Sequence, residues 1–213
     1  MKFLLDVQQK KVADKMQKFA SLVRGQLCTP LTNYKTWSGE FAIDNGAYSG
    51  LNRDAFFRLL DRNKENIERC IFVAVPDIVG NARRTSELYG MITQEKSMLP
   101  WSSKWAYVAQ DGLEDTNIYW AEIKTIFIGG TDNFKDSSHA YDVVKTAKAL
   151  GIHVHVGRVN TIKRYNKYAC LGADTCDGSG VCKYDHMLID IANNITDQDQ
   201  PSLFAGEKNA SDS

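Results

Sequence analysis

Residues 70–80 read CIFVAVPDIVG. An apolar run rich in β-branched and aromatic residues is stopped by Pro76, which cannot donate a ladder hydrogen bond, and then by Asp77. A short continuous apolar run bounded by such a stop is the pattern of a buried strand. The same pattern recurs on both sides of it. Upstream lies FAIDNGAYSG (41–50), and downstream lie WAYVAQDG (105–112), TIFIGG (125–130), HVHVGRVN (153–160) and DTCDGSG (174–180). Two weaker segments, FLLDV (3–7) and QLCTPL (26–31), come first and bring the candidate strands to eight.

Helix-period sequence lies between most of these runs. Residues 8–24 carry Val12, Met16, Phe19, Leu22 and Val23 at near-helical spacing. Asn52 is a natural N-cap for a helix over 52–69, with Phe56, Leu59, Leu60 and Ile67 on its apolar side. Further helices are expected over 81–98, over 138–150 with Gly151 as its stop, and over 161–171, the last one, with Gly172 as its stop. The connector 113–124 has room for little more than a turn or two. Alternating strands and helices argue for a parallel sheet with crossover helices. Eight strands argue for an α/β fold of the (β/α)8 TIM-barrel type. A typical barrel needs about 250 residues, so with 213 residues this one is expected to be minimal or slightly irregular. The barrel is assigned to residues 1–192, and the polar, acidic stretch 193–213 is expected to be a disordered tail. A doubly wound open sheet is the rival, but its G-x-G-x-x-G fingerprint after the first strand is absent.

Composition narrows the class. Apolar residues make up 43% of the chain, charged residues 24%, and the formal net charge is zero. That is an ordinary globular composition without a global basic footprint for nucleic acid, although local patches stay open. No apolar run approaches a membrane span, and the opening MKFLLDV is too short for a signal peptide, so a cytoplasmic protein is expected. The five cysteines, an odd number, point to reduced thiols, with Cys70 and Cys170 as core filler.

In a parallel α/β fold every strand C-terminus opens onto one face, where chemistry collects. Asp44, Asp77, Gln110, Gly129, Gly130 and Asp177 all stand at such ends. Each has a plainer alternative. Asp44 and Asp77 are also natural turn or cap residues, and a Gly pair is also merely a turn. A carboxylate and a Gln amide together suit the donor and acceptor edge of a purine. Gly178 and Gly180 leave space beside Asp177, and of the neighbours Asp174 and Asp177 one is expected to be structural. His153 and His155 share one strand face and are expected to be core or rim residues. Cys176, Cys182 and His186 lack standard zinc spacing, so no structural zinc is expected.

Taken in order, these strand-end motifs resemble the queuine/archaeosine tRNA-guanine transglycosylase superfamily. They are closest to its short phage and bacterial DpdA-like relatives, which place 7-deazaguanines into DNA. The DSGGF-like motif is matched by Asp44-Asn45-Gly46-Ala47-Tyr48, and the acid after an apolar strand by Asp77. The VQGG-like motif is matched by Val108-Ala109-Gln110-Asp111-Gly112, and the Gly pair by Gly129-Gly130. The MGVG-like segment is matched by Val156-Gly157-Arg158-Val159, and the final motif by Gly172-Ala173-Asp174-Thr175-Cys176-Asp177-Gly178. The resemblance implies a base exchange in which Asp177 is the nucleophile at the sugar C1′ and Asp44 the acid/base. It makes Asp77, Gln110, Gly129, Gly130, Asn45 and Gly157 the base-binding set.

It further implies a nucleic-acid partner, DNA or alternatively tRNA, and a 7-deazaguanine of preQ0 type as co-substrate, with no other cofactor. A homodimer is compatible with it, and so is a host-cytoplasm location for a phage-encoded protein. Arg158, Lys163, Arg164 and Lys167 are candidates for gripping phosphates, or else a solvated helix face. Two departures stand out, since Ala47 and Asp111 replace family glycines. No C-x-C-x-x-C…H zinc segment follows the barrel residues, which favours the DNA-acting branch over a reduced tRNA enzyme. An inert barrel that binds nucleic acid or a partner is the third alternative, and acids at both Asp44 and Asp177 speak against it.

Overall fold

Each apolar run becomes a strand, and all pair parallel, in sequence order, into one closed barrel. The computed structural model describes residues 1–95 and 100–199. The strands are β1 (Lys2–Leu5), β2 (Val23–Cys28), β3 (Phe41–Ile43), β4 (Cys70–Ala74), β5 (Trp105–Ala109), β6 (Thr125–Ile128), β7 (His153–Val156) and β8 (Thr175–Cys176). The helices are α1 (Gln9–Lys18), α2 (Arg53–Asn63), α3 (Ala82–Glu95), α4 (Asp132–Lys135), α5 (Ser138–Ala149), α6 (Ile162–Cys170), α7 (Ser179–Lys183) and α8 (His186–Asp199). Closure comes from β8, only two residues long, which pairs with β7 on one side and β1 on the other. The fold is thus a (β/α)8 barrel. It is irregular in that no helix links β2 to β3, and short 3₁₀ turns link β5 to β6.

The two-residue period of a strand sorts the side chains. Leu4, Leu27, Ala42, Phe72, Ala74, Ala106, Val108 and Phe127 form one cluster filling the barrel. Alternate residues such as Leu5, Tyr107, Ile126, Val154 and Cys176 face outward and pack against α1, α5, α6 and α8 through Val12, Val144, Tyr168 and Leu188. A third cluster seats Phe56, Leu59 and Leu60 of α2 against Phe41, Ile43, Val73 and Trp101. Asn52 caps α2 as its sequence suggests, its side chain accepting from the Ala55 N–H at 3.0 Å.

Several boundaries differ from the sequence expectation. α1 ends at Lys18, because Val23 and the residues after it are claimed by β2, which starts earlier than the apolar run suggested. α2 stops at Asn63 and continues as 3₁₀ turns to Arg69. α3 is described to Glu95, and the rest of the helix expected to reach 98 lies outside the described residues. The segment 161–171 is not the last helix. α7 and α8 follow, and α8 runs through Asp199, past the point where a tail was expected to begin. Buried Leu188 and Ile191, three positions apart, anchor α8 under a largely polar surface. The remainder of the expected tail, 200–213, lies outside the described residues. All five cysteines are free, and Cys70 is buried, but Cys170 is exposed at the end of α6 instead of filling the core.

Candidate active site

Two residues beyond an inward-facing strand residue, the strand period still points inward, now at the barrel mouth. Ala42 leads to Asp44, Val108 to Gln110, Phe127 to Gly129, His155 to Gly157, and Thr175 to Asp177. Asp77 reaches the mouth just after β4, beyond Pro76. Together with Asn45, Gly130 and Arg158 these residues line one narrow slot of about 50 Å³ at the C-terminal face of the sheet. It adjoins an outer cavity of about 270 Å³ that shares Asp44, Tyr48, Arg158 and Asp177 and extends past Asp6, Gly178 and Ser179.

Asp77 is the most tightly held of the carboxylates. Asn45 Nδ2 donates to one of its oxygens at 2.6 Å and Gln110 Nε2 to the other at 2.5 Å. Both amides are themselves fixed. Asn45 also donates to the Val75 carbonyl and accepts the Ala47 N–H, and Gln110 accepts the Gly80 N–H at 2.9 Å. Asn45 and Gln110 therefore act here as clamps on Asp77, whose remaining lone pairs can meet the N–H edge of a ligand. Burial, with the Asp44 charge adding to it, raises the Asp77 pKa to about 6 against the pull of the Asn45 and Gln110 hydrogen bonds. Asp44, half-buried, accepts the Gly46 N–H at 3.2 Å. Burial and then the Asp177 charge raise its pKa to about 6 as well. A carboxyl poised there can hold or release a proton near neutral pH.

Asp177 sits opposite. One oxygen accepts the Arg158 backbone N–H at 3.1 Å, and the other lies 3.1 Å from His155 Nε2. His155 is fully buried between the Phe72 and Phe127 rings, with centroids 4.8 and 4.6 Å away. Its Nδ1 meets the Thr175 hydroxyl at 3.0 Å, and that hydroxyl also meets His153 Nε2 at 3.0 Å. A polar column therefore runs from Asp177 down through the barrel interior. His155 is a core residue and the half-buried His153 a rim residue, as expected, but His155 is also the support of the mouth carboxylate. Burial lowers the His153 pKa to about 4, so this imidazole is neutral at ordinary pH.

Gly129 forms a flat wall of the slot, and a Cβ there would stand 2.9 Å from both Gln110 Nε2 and a Val108 methyl. Gly130 has φ of +72°, in the left-handed region that favours glycine. Lys135, at the end of α4, also lines the slot although its side chain is fully buried, and it donates to the Gly157 carbonyl at 3.1 Å. Nothing in the sequence singled it out beyond its place shortly after the Gly pair.

The four basic candidates separate in space. Arg158 is at the mouth, its backbone at φ +56° and its guanidinium donating to the Gly130 carbonyl while lying over the Tyr48 ring. Arg164 is committed to ion pairs with Asp132 and Asp136. Lys163 is exposed on α6, and Lys167 lies over the Tyr141 ring, 4.7 Å from its centroid. Asp111, which replaces a family glycine, accepts the Thr131 N–H at 2.8 Å and stays out of the slot lining. Of the weighed zinc set, Cys176 is buried in β8, Cys182 lies on α7, and His186 stacks on Tyr184. Among the described residues no group of three or more His, Cys, Asp or Glu could hold a metal ion, and no helix is long and apolar enough to cross a membrane.

No protein-family model matches the sequence, and a search of curated proteins returns no significant match. The barrel itself is an architecture whose enzymes carry their active sites at this C-terminal face.

Proposed function

We propose that this barrel is a nucleic-acid guanine transglycosylase that exchanges guanine in DNA for a 7-deazaguanine base. What carries the proposal is the meeting of Asp44, Asp77, Gln110 and Asp177, from the ends of four strands, around one slot. The base enters with its donor edge on Asp77. An Asp177 carboxylate oxygen attacks C1′, the C1′–N9 bond breaks, and guanine leaves with a proton from Asp44. The incoming base gives its N9 proton back to Asp44, and its N9 displaces Asp177 from C1′. Two displacements restore the original configuration, the logic of a retaining glycosidase. His155 and the Arg158 N–H hold the Asp177 oxygens, and the carboxyl of Asp44, with its pKa near 6, suits a group that both gives and takes a proton.

The target nucleotide must leave the stack to reach such a slot, or be single-stranded. Release of radiolabelled guanine from DNA and from tRNA, measured side by side with the full chain, tests the proposal. Release from DNA with an excess of unlabelled 7-deazaguanine is the expected result. Release from tRNA alone would make this a reduced tRNA enzyme. Release from neither, at any pH between 5 and 9, would overturn the exchange chemistry.

A further inference from the structure

The slot is electrically divided. Going round the rim, the ends of β3 and β4 contribute Asp44 and Asp77, the end of β5 contributes Gln110, and the segments after β6 and β7 contribute Lys135 and Arg158. Asp177 follows, after β8. A flat ligand lying across this slot meets acceptors on one side and a buried ammonium on the other. That ammonium has three protons, and among the described residues its one hydrogen-bond acceptor is the Gly157 carbonyl. Arg158 spends one N–H on the Gly130 carbonyl and lies over the exposed Tyr48 ring at the rim, whereas Lys135 is the fully buried cation of the slot, with two protons beyond the one it gives to Gly157.

We propose that Lys135 is the specificity-determining residue of the slot, reading a neutral or anionic hydrogen-bond acceptor on the far side of the bound base and rejecting a cationic one. The inference rests on the guanine-exchange reading and deepens it. With the N1–H and 2-amino edge of a 7-deazaguanine on Asp77, the 7-substituent lies at the opposite end of the ring system, toward Gly129, Gly157 and Lys135. A nitrile, amide or carboxylate there accepts from the ammonium. An aminomethyl cation there places a third positive charge beside Lys135 and Arg158, against the single carboxylate of Asp177 on that side of the slot. Burial, and after it the Arg158 charge, lower the Lys135 pKa to about 8, so the ammonium still predominates at neutral pH. The flat Gly129 wall adds the steric half of the preference, since it admits a ring and its substituent edge-on.

The test compares 7-cyano-, 7-carboxy- and 7-aminomethyl-7-deazaguanine, each by direct calorimetric binding to the full chain and by displacement of radiolabelled guanine from DNA. The wild type is expected to favour the cyano and carboxy bases over the aminomethyl base at least tenfold. Lys135→Met, close in volume and uncharged, should bring the three within about threefold of one another, and Lys135→Glu should invert the order. Thermal melting of both variants checks that they fold, and Lys135→Met alone decides if Lys135→Glu does not. An unchanged preference in Lys135→Met, or a wild type that takes the aminomethyl base equally well, would overturn the inference. The binding arm needs no turnover, so a wild type that discriminates among the bases yet releases no guanine would sink the exchange reading and leave the role of Lys135 standing.

Discussion

Asp174 and Asp177 are three residues apart and belong to opposite ends of the same barrel. Asp174 precedes β8 at the N-terminal face. Lys148 Nζ donates to both its oxygens, at 2.9 and 2.7 Å, and the Val154 N–H donates at 2.8 Å. Burial would raise its pKa, but these partners, with His153 nearby, override that and hold it below the usual carboxylate range. Asp177 follows β8 at the C-terminal face, where it shares a slot with Asp44 and Asp77, both raised to about 6. One face of the barrel satisfies its acids and the other frustrates them. The first arrangement favours the fold. The second charges the fold a stability cost and keeps carboxylates reactive.

The largest effect should come from exchanging the fates of these two acids. Asp177→Ala is expected to lower guanine exchange by on the order of a thousandfold or more, because it removes the atom that bonds to C1′. Asp177→Asn should be nearly as inactive. A covalent protein–nucleic-acid adduct, trapped on denaturing gels in the absence of incoming base, should form with the wild type and not with either variant. Asp174→Ala should do the reverse, keeping exchange near the wild-type rate while losing about 1–2 kcal/mol of stability in chemical denaturation, a figure discounted for the partial exposure of the Lys148 pair. Wild-type exchange in Asp177→Ala would erase the distinction between the two faces.

The Asp77 clamp offers a smaller effect. Gln110→Ala and Asp77→Ala should each weaken base binding by about 1–3 kcal/mol, read by calorimetry with free guanine. Wild-type affinity in both variants would mean that the base lies elsewhere in the mouth.

The smallest effect concerns Asp44 and stability. Its folded-state pKa is raised, so its ionised form costs the fold. That cost is absent below about pH 4, grows up to pH 6, and levels off above it at about 1 kcal/mol, a figure discounted for the partial exposure of the carboxylate. Asp44→Asn, which keeps an oxygen for the Gly46 N–H, should therefore melt higher than the wild type at pH 7. The two should converge toward pH 4, while exchange is lost for want of proton transfer. A Tm difference that is flat from pH 4 to 7 would deny the frustration assigned to the mouth.

Much of this was legible in the chain because strand boundaries carry two signals at once. A run such as TIFIGG states both that a strand is buried and where it stops, and the strand period then carries Gln110, Gly129 and Asp177 to one end. Partners are not written that way. His155 meets Asp177 across 22 positions of sequence, and its own stretch, HVHV, gives only a shared face. Lys135 was hidden because α4 is a single turn after a glycine pair, too short for a periodic pattern. Asn45 and Gln110 read as free base-recognition groups, while folding commits both amides to Asp77. α8 was missed because its polar surface outweighed the two buried residues that anchor it.

β8 has one further consequence. It joins the first strand of the chain to the seventh, and its ladder is so short that side chains do much of the fastening. Asp174 holds the Val154 N–H, and Thr175 ties to both histidines of β7. This seam unites the segments farthest apart in sequence, the contacts with the highest loop-closure cost during folding. A brief opening along it would leave seven strands paired and carry Asp177 away from the mouth. In hydrogen exchange, the Lys2 and Val154 amides, bonded to Asp174, would report that opening, and their protection would measure how much of the time the molecule is assembled for chemistry and not merely folded.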